Sequence, residues 1–319
     1  MPAVFPIAAA NPNVAYPGAV AAYPTYSGAF IPEIWSTNLV KKYYDGTVLT
    51  SITNTDYEGD IRAHGDTVII RTQPTIAIRS YQMGQPLQTD FPAGSRMELH
   101  IDKGLYWSTG IDDVANKQRD IVAMSMWATD ASEQLKLALD TEVLAYLPAN
   151  VHADNTGIAA GRISGNINLG SQAVAIQATI ANMLTTILGL GQALDEQNVP
   201  ETGRFLVMPF WATTLLKLSD LKDASLTGDS GSPLRNGMVG RIDRFTIYNS
   251  NLLPVGAGGG TVWTGAILAG HRDAATFATQ LTKTETLRSE QTFGDIMRGL
   301  IVYGYEMIKP EAMAVAYIR

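Results

Sequence analysis

Along this chain the spacing of apolar positions changes period several times, and each change marks an element. From Asp66 to Ser80 the run DTVIIRTQPTIAIRS is rich in β-branched residues, and from Ser95 to Gly104 SRMELHIDKG sets Met97, Leu99 and Ile101 against Arg96, Glu98, His100 and Asp102. A period of two with one apolar face predicts a pair of hairpin strands. Their connector, YQMGQPLQTDFPAG, holds Gly84, Pro86, Pro92 and Gly94, which predicts a broad loop rather than a two-residue turn. A lone hairpin is marginal in water, so this one needs a surface to lie on. From about Asp112 the period lengthens. Ile121, Met124, Trp127, Ala128, Ala131, Leu135, Ala138, Leu139 and Val143 keep helical spacing as far as Leu147, with Asp112 and Asp113 at the start and Pro148 as the stop. At 1.5 Å per residue this helix spans roughly 50 Å, about three times the usual length.

Residues 150–172, NVHADNTGIAAGRISGNINLGSQ, are rich in Gly and Asn and mark a boundary between two regions. Beyond it AVAIQATIANMLTTILGLGQALDEQNVP reads as a helix, RFLVMP as a short buried strand, FWATTLLKLSDLK as a second helix and RFTIYNSNLLP as a strand. That order predicts an α/β region on a mixed sheet. Four more strands follow: TVWTGAILAG, AATFATQL, GLIVYGYEMI and AMAVAYI. Ahead of the hairpin, IPEIWSTNLVKKYYDGTVLTSI starts with Pro32 and Glu33, suited to a first helical turn, and predicts a short helix followed by an extended segment.

The first 32 residues carry no charged side chain, and Pro2, Pro6, Pro12, Pro17, Pro24 and Pro32 break every apolar run. Without a basic leading region or about 20 unbroken apolar residues, this is neither a signal peptide nor a membrane span. It reads as an extended arm that reaches on the order of 100 Å at ~3.3 Å per residue. Its aromatic content distinguishes it from a solvated tail and favours docking on other chains.

Composition narrows the function. At 319 residues, 46% hydrophobic and 17% charged, the chain is globular; a net charge of −7 argues against a surface built to hold nucleic acid, and zero cysteines exclude disulfides and thiolate chemistry. The motif GDSGSPL at residues 228–234 is one letter from the nucleophile loop of chymotrypsin-like proteases and offers Ser230. Such an enzyme needs a His base in a suitable upstream context and two β-barrels. Of His64, His100, His152 and His271, the nearest in context is His64 in RAHGD, and a long helix stands where barrel strands belong. The Gly, Asp, Ser and Pro residues of the motif are simply good turn formers. GAGGGT at residues 256–261 lacks the lysine of a phosphate loop and precedes a strand, and GLGQAL at Gly189 lies late in a helix with no strand before it. No HExxH motif and no carboxylate cluster with metal spacing occurs, so neither catalysis nor a cofactor is expected.

Three separated segments resemble tailed-bacteriophage major capsid proteins: FIPEIWSTNLV, LRNGMVGRIDRFTIYNSNLLP (234–254) and HRDAATFATQLTKTETLRSEQTFGDIMRGLIVYGYEMIKPEAMAVAYI (271–318). The resemblance implies an α+β chain of the Hong Kong 97-like phage capsid fold. It divides the sequence into an N-terminal arm (1–33), the start of a peripheral domain (34–65), an extended β-hairpin loop (66–110), a spine helix (111–149), an axial domain (150–269) and returning peripheral strands with the final strand (270–319). It implies self-assembly through hexamers and pentamers into an icosahedral virion shell that encloses DNA without reading its sequence. The arm and the hairpin would then bury their apolar faces on adjacent subunits, with Phe5, Tyr23, Met83, Leu87 and Phe91 as candidate contacts.

The resemblance further implies a portal at one vertex, assembly in the host bacterial cytoplasm and no membrane association. A separate scaffolding protein is expected, because no long charged helical region leads the chain; cement or decoration proteins are possible partners. In the family's founding member a loop lysine cross-links to a neighbour's asparagine, but Tyr81 to Gly94 contains no lysine and Lys103 stands far down the strand, so noncovalent stabilisation is expected. An acidic or neutral wall would let packed DNA slide. Two rival readings are an encapsulin-type nanocompartment shell, disfavoured by the nonpolar arm and phage-like motifs, and a serine hydrolase using Ser230.

Overall fold

The computed structural model describes residues 46–56, 67–71, 73–74, 76–92, 94, 96–113, 117, 123–219, 240–256, 263–290 and 292–319. The chain forms two compact units, Met1–Lys42 and Tyr43–Arg319; the first, with the arm and most of the Pro32–Ile52 segment, lies outside the described residues.

In the second unit, β1 (Thr67–Arg71) and β2 (Arg96–His100) pair antiparallel, with Val68 opposite Leu99 and Ile70 opposite Met97. The alternation predicted for β2 holds: Leu99 and Ile101 are buried while Arg96, Glu98 and His100 are exposed. The surface this hairpin needs is partly its own chain, since Ile70, Leu99 and Ile101 pack on Ala278 with Val68, Val302 and Ile308 around them. Pairing is shorter than the sequence predicts. It ends where Arg71 faces Arg96, two like charges directly opposed, and Pro74 beyond has no N–H to give a ladder. Within the unpaired connector a single turn forms: Gln85 N–H donates to Gln82 O at 3.0 Å, and Gly84 at φ +83° occupies the third turn position, where a left-handed residue is required.

The next strand was not legible. β3 (Lys103–Asp112) takes up the residues between hairpin and helix, so Asp112 ends a strand rather than opening the helix. Gly104, Gly110 and the adjacent Tyr106 and Trp107 blur its alternation. It pairs antiparallel with β9 (Gly294–Met307), which also pairs with β8 (Ala275–Arg288), giving the order β3-β9-β8. Two glycines of β9 allow close approach to neighbouring chain: a Cβ on Gly299 would stand 2.3 Å from the Trp107 ring, and one on Gly304 2.1 Å from the His100 carbonyl oxygen.

A four-residue helix, α1 (Leu49–Ile52), replaces the extended segment expected there. The buried carboxylate of Asp140 accepts from Val48 N–H at 2.6 Å and Leu49 N–H at 3.4 Å, giving the leading backbone donors of α1 partners that its own turn cannot supply. Asp140 lies on α2 (Ala123–Ala149), the long helix; its predicted start and Ile121 lie outside the described residues. Pro148 sits inside the last turn rather than beyond it, and Asn150 caps that end by donating Nδ2–H to Tyr146 O at 2.9 Å and N–H to Leu147 O at 3.2 Å. Among the described residues, the apolar side chains that α2 buries are in its second half, at Leu139, Val143, Leu144 and Leu147. In the first half Trp127, Ala131 and Leu135 overlook a groove of about 400 Å³ opposite Leu105, Trp107 and Thr109 of β3.

The remaining strands form a mixed five-stranded sheet, as predicted, in the order β10-β7-β4-β6-β5: β10 is Met313–Ile318, β7 Gly265–His271, β4 Arg204–Met208, β6 Phe245–Asn249 and β5 Arg241–Ile242. β4 and β6 are parallel, and the other neighbours are antiparallel. β4 and β10 are buried along their whole length and β7 at all but its last residue, the pattern of strands covered on both faces. The final strand therefore belongs to this sheet and not beside β8 and β9. α3 (Met183–Glu196) starts ten residues later than the predicted helix. The preceding chain instead bonds to β10, with Ile176 N–H on Tyr317 O at 2.9 Å and Ala178 N–H on Arg319 O at 3.0 Å. Thr179 and Asn182 trade side-chain and backbone bonds at the bend into the helix. α4 (Phe210–Leu218) follows β4 directly, and one contiguous apolar core runs from α1 and the end of α2 through both larger sheets.

Candidate assembly surface

The hairpin's outer part is a ribbon of unpaired chain over residues 76–92 that turns large apolar side chains to solvent. Met83 is 97% exposed, Leu87 82% and Phe91 93%, so these three candidate contacts share one projection; Ile76, Ile78 and Tyr81, not singled out from sequence, join them. Phe5 and Tyr23 lie outside the described residues. The ribbon's two charges serve each other: Arg79 Nη2 is 2.9 Å from Asp90 Oδ1, and Nη1 donates to Gln88 O at 3.4 Å. What remains for a partner is electrically neutral and greasy. Covering a large apolar side chain is worth about 1.5–3 kcal/mol, so these six offer roughly 10 kcal/mol before the costs of association.

A polar network ties β3, α2 and β9 together. Lys103 Nζ donates to Glu142 Oε1 at 2.9 Å and to Tyr305 Oη at 2.5 Å, and lies 4.1 Å from the centre of the Tyr305 ring. Tyr303 and Tyr305 hydroxyls both donate to the Glu142 carboxylate. Burial alone would lower the lysine, but the bonds to Tyr305 and Glu142 outweigh it and carry Lys103 up to about 12. Burial likewise opposes the Glu142 charge, yet donation from Tyr303, Lys103 and Tyr305 holds its carboxyl below the ordinary range. Close by, Tyr146 Oη donates to Glu306 at 2.7 Å; burial first and this bond second push the phenol up to about 12. Lys103 is thus committed to holding the helix on the sheet. No spacing rule joins Lys103, Glu142 and Tyr303, which strand pairing and the docking of α2 bring together.

On the open face of the three-stranded sheet, Tyr106 stands beside Leu300, and Lys283, Glu285 and Arg298 form a charged row across β8 and β9. Phe293, 80% exposed, marks the turn between those strands. These aromatics are surface features that a sequence reading assigns to the core by default.

Only some of the catalytic candidates fall within the described residues. GDSGSPL, Ser230 and His64 lie outside the described residues. His152 and His271 each accept the N–H of the residue two places on, Asp154 and Asp273, and so cap short turns, while His100 is exposed beside Thr67. Gly189 and Gly191 are helical and permit close packing on Ile167 and Phe245. Among the described residues no group of three His, Cys, Asp or Glu side chains could hold a metal ion, and no helix is long and apolar enough to cross a membrane.

No curated protein sequence matches the chain. Among solved structures it resembles one from Mycobacterium phage Che8, with 24% identity, a TM-score of 0.74 and coverage of 90% of this chain and 96% of that one. The capsid of cyanophage P-SCSP1u aligns with 15% identity and a TM-score of 0.73 over 95% of this chain and 97% of the other. The mature capsid of bacteriophage PhiM1 gives 15% identity and a TM-score of 0.66 over 90% and 91%. These likenesses fix the fold as that of Hong Kong 97-like capsid subunits. A family profile described as phage capsid protein matches residues 108–316, from β3 through β10, and the chain belongs to that family of shell-forming virion proteins.

Proposed function

We propose that copies of this chain assemble through hexamers and pentamers into the icosahedral shell around a phage's double-stranded DNA. The observation that carries this reading is the ribbon: six large apolar side chains held in water on a loop whose only charges neutralise each other, an arrangement that makes sense once a neighbour covers it. Met83, Leu87 and Phe91 are the proposed contacts on the ribbon, and Phe5 and Tyr23 those of the arm. The receiving surface is the groove between β3 and the first half of α2, lined by Trp107, Trp127 and Leu135; its one carboxylate, Asp130, accepts from Gln134 at 2.6 Å.

The shell is held noncovalently, since Tyr81–Gly94 has no lysine and Lys103 is engaged by Glu142 and Tyr305. Assembly proceeds in the host cytoplasm with a separate scaffolding protein, around a portal at one vertex, with cement proteins as further partners. The net charge of −7 supports a wall that does not trap DNA and lets it slide as it packs. The protein acts without catalysis or cofactor, so a fluorophosphonate probe leaves Ser230 unlabelled.

Negative-stain electron microscopy of the concentrated protein, alone and co-expressed with a scaffolding protein, tests the reading. Closed shells or hexameric capsomers are expected. Stable monomers under both conditions would overturn it.

A further inference from the structure

Two outward faces of the five-stranded region carry almost no charge. α3 turns Thr185, Leu188 and Gln192 to solvent, and with Asn168, Asn182 and Gly189 they line a groove of about 500 Å³ that contains no ionisable side chain among the described residues. α4 presents Phe210, Trp211, Thr214 and Leu218, with Phe210 46%, Trp211 37% and Leu218 43% exposed. Its one ionisable residue, Lys217, flanks this stripe half-buried.

Surface helices ordinarily turn charges to water, as α2 does with Glu133 and Lys136. Copies of a chain with net charge −7 repel each other, so they meet most favourably where charge is absent. The cores of protein interfaces are likewise depleted in charged residues and enriched in Phe and Trp. The two faces also differ in kind. One is a concave groove whose amides and hydroxyls alternate with Ile167, Ile176 and Leu188, the other a projecting aromatic stripe, so neither is complementary to itself. A contact between unlike faces of successive copies is head-to-tail, the geometry that closes into rings.

We infer that α4 of one copy seats Phe210, Trp211 and Leu218 in the α3 groove of the next, forming the contact that closes a ring. This rests on the shell reading and specifies which faces meet within a capsomer.

A charge-pair rescue tests it on the full chain. Phe210→Glu places a carboxylate at the first turn of α4, where the helix dipole favours it, and Leu188→Lys adds a charge at a half-exposed site on α3. Mass photometry follows rings, electron microscopy follows shells, and far-UV circular dichroism with thermal melting confirms folding. Each single variant is expected to stay folded and to raise the concentration needed for rings roughly tenfold or more. The double variant is expected to recover most of that loss. Should a single variant lose its fold, Thr185→Lys with Leu218→Glu replaces the pair. Folded single variants that assemble like wild type would overturn the contact and leave the shell reading intact, as would a double variant no better than the singles. Wild-type protein that forms neither rings nor shells would overturn both.

Discussion

At Glu196 one carboxylate fixes a loop. Its Oε2 accepts from the consecutive backbone N–H groups of Ile163 at 2.7 Å and Ser164 at 3.0 Å, and its Oε1 accepts from Gln192 at 3.1 Å. The bonds from Ser164 dominate, and the group is held at about 2, below its ordinary 4.5. A depressed folded-state value stabilises the fold above the ordinary pKa and loses that contribution as pH falls through the folded one. Wild type and Glu196→Gln should therefore differ by about 1 kcal/mol at neutral pH, the effect being moderated by solvent. The difference should shrink between pH 4.5 and pH 2, which urea melts at several pH values would show. A gap that stays constant across that range would mean the charge is not what holds the loop.

Among the elements, β9 is where backbone closeness decides most. A Cβ on Gly304 would meet the His100 carbonyl oxygen at 2.1 Å, a backbone atom that cannot rotate away. Gly304→Ala should cost about 3 kcal/mol, read as a lowered urea midpoint. The ribbon behaves in the opposite way. Replacing Met83, Leu87 and Phe91 by Ser removes nothing from the core, so the monomer should melt as wild type does while assembly fails; a lower melting temperature would mean the ribbon folds back on its own chain. The contrast also shows what the sequence could reveal. β2, β4, α4 and the mixed sheet were legible because burial imposes its period on Leu99 and Ile101 and its continuous apolar run on RFLVM. β3 was hidden because Gly104 and Gly110 occupy its open face. The segment before α3 read as a helix because Ala and Ile suit one, but hydrogen bonds to residues some 140 positions away took it for an edge of β10. The ribbon's candidate contact residues were legible as apolar side chains on a loop, whereas the Lys103–Glu142–Tyr303 network depends on strand register and on how α2 docks.

For the whole molecule, charge and grease act against each other. Copies at net −7 repel, while the ribbon proposed to join them is neutral. Raising salt shortens the Debye length from about 10 Å at 0.1 M to about 3 Å at 1 M, which screens the repulsion and leaves apolar contact intact. The concentration needed for assembly should therefore fall as sodium chloride rises; light scattering that shows the reverse would mean ion pairs between copies dominate the shell. A different consequence follows from the place of β10. Residues 313–318 are synthesised after every other strand of the five-stranded sheet, yet they are buried along their full length and cover one edge of β7. A chain interrupted before them leaves the ribosome with that edge open and its core unsealed. The core of that sheet is thus sealed by the strand made last among its five, so the order of translation sets when the subunit can close.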